Sequence, residues 1–150
     1  MSDTDRRYTK DEIISILENR DLEKFDICDN YAYIYTDSYE IMIEAPNEII
    51  SEENILFTAK VLRSLDECLA KADRWLAIFD FSSDRWHPHA LDAGFEMYRL
   101  YIGSYSSSGV PIPWDDGFIM TFDAVNYCPC GFAVKFHKNM VPFAAEEFVN

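Results

Sequence analysis

YAYIYTDSYEIMIEA, residues 31–45, is the stretch from which the fold is read. Tyr31, Tyr33 and Tyr35 alternate with Ala32 and Ile34, so an extended backbone puts the three tyrosines on one face. After Asp37-Ser38, which can turn the chain, Ile41 and Ile43 alternate with Glu40, Met42 and Glu44. A period of two in aromatic and β-branched residues predicts two strands, Tyr31 to Thr36 and Tyr39 to Ala45. Closed as a hairpin, they bring the tyrosine set and the glutamate set close together. Pro46 and Asn47 end the pair.

Upstream, Thr9 with Glu12 three places later makes a capping-box pattern. It predicts a helix from about Lys10 to Phe25, with Ile13, Ile14, Ile16 and Leu17 on its apolar side. Downstream, Ser51 caps an expected long helix from about Glu52 to Asp80. Ile55, Leu62, Leu65, Leu69, Ala72, Leu76 and Phe79 recur at steps of three and four, and Val61, Cys68 and Trp75 widen the stripe. The heptad spacing also fits a coiled coil, but it stops after about three heptads, so a helix laid across a sheet is the expectation. Phe81 to Gly94 reads as a long connection. A strand from Phe95 to about Tyr105 should set Tyr98, Leu100 and Ile102 against Phe95, Met97, Arg99 and Tyr101. A loop over residues 106–117 precedes expected strands at Phe118–Ala124 and Phe132–Lys138, with Phe132, Val134 and Phe136 inward and Lys135 and His137 outward. Pro142 to Phe148 is read as a short last helix.

The order is α-β-β-α-β-β-β. The strands are joined by loops more than by crossover helices, which predicts an α+β fold with a mostly antiparallel sheet of about five strands and the long helix packed on it. At 150 residues, nearly half of them hydrophobic, the chain suits a single domain, expected as a monomer or weak dimer. No stretch of about 18 apolar residues spans a membrane and no signal peptide is readable at Met1, so a cytoplasmic protein is expected. Four irregularly spaced cysteines fit reduced thiols.

The formal charge is −14, and the first fifty residues carry 13 acids against 5 bases. Such a field repels nucleic acid and anionic membrane surfaces and speeds the capture of basic proteins. Acidity that serves only solubility is the competing explanation.

Motifs for chemistry are sparse. His87-Pro88-His89 with Asp92 could face a metal, but no second histidine pair supports it. Cys128-Pro129-Cys130 has one residue between its cysteines where zinc ribbons and redox motifs use two, so it reads as a turn. There is no Gly-x-Ser-x-Gly elbow, phosphate-binding Gly-Lys loop or dinucleotide fingerprint. The expectation is no enzyme, no cofactor and no metal, with a small metal-dependent hydrolase on His87 and His89, or a regulatory binding module, as the alternatives.

Recognition chemistry is better supplied. Trp114-Asp115-Asp116-Gly117 sets an aromatic beside two acids, and Asp84 with Trp86 repeats the mixture. On the hairpin, Tyr33 and Tyr35 with Glu40 and Glu44 can meet Lys and Arg through ring faces and charge. In size, acidity, α+β layout and lack of catalytic motifs the chain resembles the small acidic bacterial immunity proteins of contact-dependent inhibition and related polymorphic toxin systems. The resemblance implies a tight complex with a cognate basic toxin protein, often a nuclease, whose active site or substrate groove the inhibitor covers. Trp114, Asp115, Asp116, Asp84, Trp86, Tyr33, Tyr35, Glu40 and Glu44 are the expected partner-binding residues.

Overall fold

The computed structural model describes residues 6–81, 95–104, 116–124 and 130–149. Three helices and seven strands occur among them, in the order α1 (Lys10–Glu18), β1 (Asp26–Cys28), β2 (Tyr31–Tyr35), β3 (Glu40–Glu44), α2 (Glu52–Arg63), α3 (Leu65–Phe81), β4 (Phe95–Ser104), β5 (Asp116–Ala124), β6 (Cys130–His137) and β7 (Pro142–Val149). The strands form one sheet in chain order, β1 to β7. Every pair is antiparallel except β3 with β4, so the sheet is mixed. The fold is α+β as expected, with seven strands where about five were expected. The parallel pair follows from connectivity: α2 and α3 carry the chain from the end of β3 back to the start of β4, as a crossover requires.

The capping box closes α1, with the Thr9 hydroxyl accepting from the Glu12 amide at 3.1 Å and the Glu12 carboxylate accepting from the Thr9 amide at 2.9 Å. The helix stops at Glu18, short of the expected Phe25, because Arg20 adopts a left-handed φ of 57°. The residues freed by that stop make one 3₁₀ turn, Leu22–Lys24, and then β1. Asp29 and Asn30, both at positive φ, form the two-residue turn into β2 that suits the twist of a hairpin. The expected long helix is two helices broken at Ser64, whose ψ of 16° departs from helical geometry.

One face of the sheet carries the core. Ile34 and Ile41, Ile43 and Ile102, Phe118 and Phe136, and Met120 and Val134 are buried there beneath Ile13, Leu17, Leu62, Ala72 and Leu76 of the helices. Phe118 and Phe136 stack at 4.5 Å between ring centroids, and Phe57 of α2 meets Phe118 at 6.0 Å, fastening the helical layer to the middle of the sheet. A bulge between Met97 and Arg99 shifts β4 by one residue. Met97 therefore joins Leu100 and Ile102 in the core, and the expected face-sharing of Tyr98 with Leu100 fails at that point.

The last segment is a strand, and the helix expected over Pro142 to Phe148 does not form. Ala144, Ala145, Glu146 and Glu147 favour helix locally, but β6 offers an unpaired edge. A tight turn, with the Met140 amide donating to the His137 carbonyl at 2.9 Å, delivers the chain to that edge. Tertiary pairing overrides a weak local preference here.

Candidate functional site

The second face of the sheet carries the hairpin residues that the sequence offered for recognition, assembled as the alternation requires. Tyr31 lies opposite Glu44, Tyr33 opposite Met42 and Tyr35 opposite Glu40, while Ala32, Ile34, Ile41 and Ile43 are buried beneath. Thr36 builds the turn: its hydroxyl accepts from the amides of Ser38 at 3.1 Å and Tyr39 at 2.9 Å. All six outward residues of the hairpin are half-buried, which gives them fixed positions and leaves part of each side chain to solvent.

The parallel strand β4 extends the arrangement. Glu40 pairs in register with Arg99, and Arg99 Nε donates to Glu40 Oε1 at 2.5 Å. Tyr101 Oη donates to Glu44 Oε2 at 3.3 Å, and its ring meets that of Tyr31 at 6.2 Å, tilted by 59°. Further across, Tyr101, Ile119 and Ala133 are buried and pack with Tyr31 and Phe143 into a small second cluster. Lys135, expected to point outward to solvent, is on this face but only 4% exposed.

Gly103 lets Glu44 and Tyr101 approach. Its φ is +153°, and a Cβ built there would stand 2.7 Å from both Glu44 Cβ and Glu44 Oε2 and 2.9 Å from Tyr101 Oη. Gly103→Ala is expected to cost about 1–3 kcal/mol through overpacking and backbone strain. Urea unfolding checks the loss; a midpoint equal to the parent's would refute the tight packing.

Burial, the largest cause, raises the pKa of the Tyr33 hydroxyl; Glu40 adds to the shift and Arg99 opposes it. Burial likewise raises Tyr35, with Glu40 and Asp26 adding to it. Both hydroxyls therefore stay protonated at neutral pH and remain hydrogen-bond donors. Tyr35 also carries the guanidinium of Arg7 at 5.1 Å from its ring centroid, so a ring of this set already holds one cation.

Glu40 and Glu44 were expected to offer open carboxylates. Instead Glu40 is paired with Arg99 and Glu44 accepts from Tyr101. What this end of the face presents is tyrosine ring surface beside two engaged carboxylates, Glu40 on Arg99 and Glu44 on the Tyr101 hydroxyl. Other acids are also engaged: Glu52 with Arg20, Glu18 with Arg63 and Glu53 with Lys138. The first two of these pairs join α1 and its end to α2.

Trp114, Asp115, Asp84 and Trp86 lie outside the described residues, as do His87, His89, Asp92 and Cys128. Asp116 was expected in a loop, but it opens β5, where its backbone pairs with Ser104. Among the described residues no group of three or more His, Cys, Asp or Glu is placed to hold a metal. Cys28 is an exposed thiol and Cys68 a buried one. Sequence reading missed Arg99, Tyr101 and Gly103 as parts of this site, because only the parallel pairing with β3 brings them to the hairpin. No helix among the described residues is long and apolar enough to cross a membrane. Comparison with family models, with curated proteins and with solved structures finds no match to this chain.

Proposed function

We propose that this chain is an immunity-type protein: it binds a cognate basic toxin domain through the outer face of its β2–β3 hairpin and neutralises it by covering its active site or substrate groove. The observation that carries the reading is the half-buried set Tyr31, Tyr33 and Tyr35, held in register against Glu40 and Glu44 on a face the helices leave uncovered. Fixed, partly exposed tyrosines give a large contact area at little entropic cost, and their rings and hydroxyls accept guanidinium and ammonium groups. The formal charge of −14 supplies the long-range attraction that draws a cationic partner in before contact.

The test is the association rate with a basic toxin domain that binds this chain, followed as salt rises. The rate is expected to fall by about tenfold or more between roughly 50 and 500 mM salt, with dissociation changing far less. An association rate flat across that range contradicts electrostatic capture.

A further inference from the structure

We propose that the groove between the β2–β3 turn, α3 and the start of β4 is an anchor site for a single arginine side chain of a basic protein partner. The inference rests on the partner-binding reading above but assigns the contact to a different surface.

The groove has a volume of about 620 Å³ and is lined by Asp37, Ser38, Tyr39, Leu69, Asp73, Glu96, Met97 and Phe122. That size falls within the range of about 300–1,000 Å³ typical of built ligand sites. Tyr39, Leu69, Met97 and Phe122 give it an apolar floor, which suits the methylene stem of a long basic side chain. The charge stands at the walls and comes from three separate elements: Asp37 from the hairpin turn, Asp73 from α3 and Glu96 from β4.

Among the described residues no cation is paired with that charge. Asp37, Asp73 and Glu96 form no ion pair with any described Lys or Arg, whereas Glu18, Glu40, Glu52 and Glu53 each have one. Glu96 also faces Asp123 in register across β4 and β5, and like charges directly opposite destabilise a sheet. Asp73 is partly solvent-exposed, yet desolvation alone raises its carboxyl pKa and no cation acts to lower it. Repulsion retained around an apolar groove is complementary to one incoming cation. A guanidinium fits better than an ammonium, because it is planar, forked and more weakly hydrated, so it can donate to carboxylates on several walls while losing less solvation.

The probe is acetyl-Ala-Arg-Ala-amide, titrated into the ¹⁵N-labelled full chain, with the lysine and norleucine tripeptides as comparisons. Saturable shifts are expected at the amides of residues 37–39, 69–73 and 96–97, weaker with lysine and absent with norleucine. The double substitution Asp73→Asn with Glu96→Gln is expected to weaken the arginine peptide about tenfold; if that variant does not fold, Glu96→Gln alone is used and is expected to weaken it about threefold. Shifts spread over the whole acidic surface, or affinity unchanged in the variant, would overturn the anchor. Saturable arginine binding in the groove by a chain whose basic partner is not a toxin leaves the anchor standing and removes the immunity reading. A partner complex indifferent to Asp73→Asn and Glu96→Gln does the reverse.

Discussion

Phe118→Ala is expected to remove about 3–5 kcal/mol of stability, the usual cost of deleting a fully buried aromatic side chain. Phe118 is 0% exposed. On β5 it pairs with Ile102 of β4 and Phe136 of β6, stacks on the Phe136 ring and receives Phe57 from α2. The substitution therefore opens a cavity where three adjacent strands and a helix meet, and the fixed backbones of the sheet limit how far the site can collapse. Domains of this size are stable by about 5–15 kcal/mol in total, so the loss is a large fraction. Urea unfolding reads it as a lowered midpoint at an unchanged slope. Ile49→Ala, at a side chain 69% exposed, is the matched control and should leave the midpoint within error. Equal midpoints for the two variants would mean that the sheet and helices are not joined through Phe118.

Replacing Tyr33 and Tyr35 together by alanine is expected to weaken the partner complex by about a hundredfold or more, the scale of losing two aromatic hot spots. Each ring is half-buried and anchored from below by the hairpin core, so neither needs ordering when a partner arrives. Glu40, fixed by Arg99, sits opposite Tyr35 and holds that end of the hairpin in place. Tyr33→Phe with Tyr35→Phe separates the two contributions of the side chain. Retained affinity assigns the contact to the ring faces, and a loss near that of the alanine pair assigns it to the hydroxyls. Titration calorimetry measures both. An alanine pair that binds like the parent would exclude this face from the interface.

The parts of the fold legible in the sequence are those where one local rule acts alone. The hairpin faces follow from strict alternation, the start of α1 from the Thr9–Glu12 box, and the inward set Phe132, Val134 and Phe136 from the same period of two. The parts that escaped are decided at a distance or by one residue. Nothing local marks the left-handed Arg20 that ends α1, although Asp29-Asn30 is a signal for the tight turn after β1. The Ser64 break hides inside an unbroken apolar stripe. The bulge at Tyr98 moves Met97 to the other face of β4, which no alternation pattern can announce. β7 is a strand because β6 supplies an edge, against the helical preference of its alanines and glutamates.

The candidate site divides in the same way. Tyr33, Tyr35, Glu40 and Glu44 are brought together because they are neighbours in one hairpin. Arg99, Tyr101 and Gly103 reach them only through the parallel β3–β4 pairing, more than fifty residues away in sequence. That pairing also changes the chemistry inferred for the glutamates, since Glu40 is engaged by Arg99 and Glu44 holds the Tyr101 hydroxyl. Asp37, Asp73 and Glu96 come from three elements and carry no spacing that a sequence pattern would reveal.

The central claim is that the tyrosine face of the hairpin is the surface a basic partner covers, and amide hydrogen exchange of the chain alone and in complex with a basic toxin domain that it binds tests it most directly. Slowed exchange on binding is predicted across residues 31–35, 40–44 and 99–101, with the α1–α2 side unchanged. Protection confined to the helical side, or none anywhere at saturating partner, would contradict it.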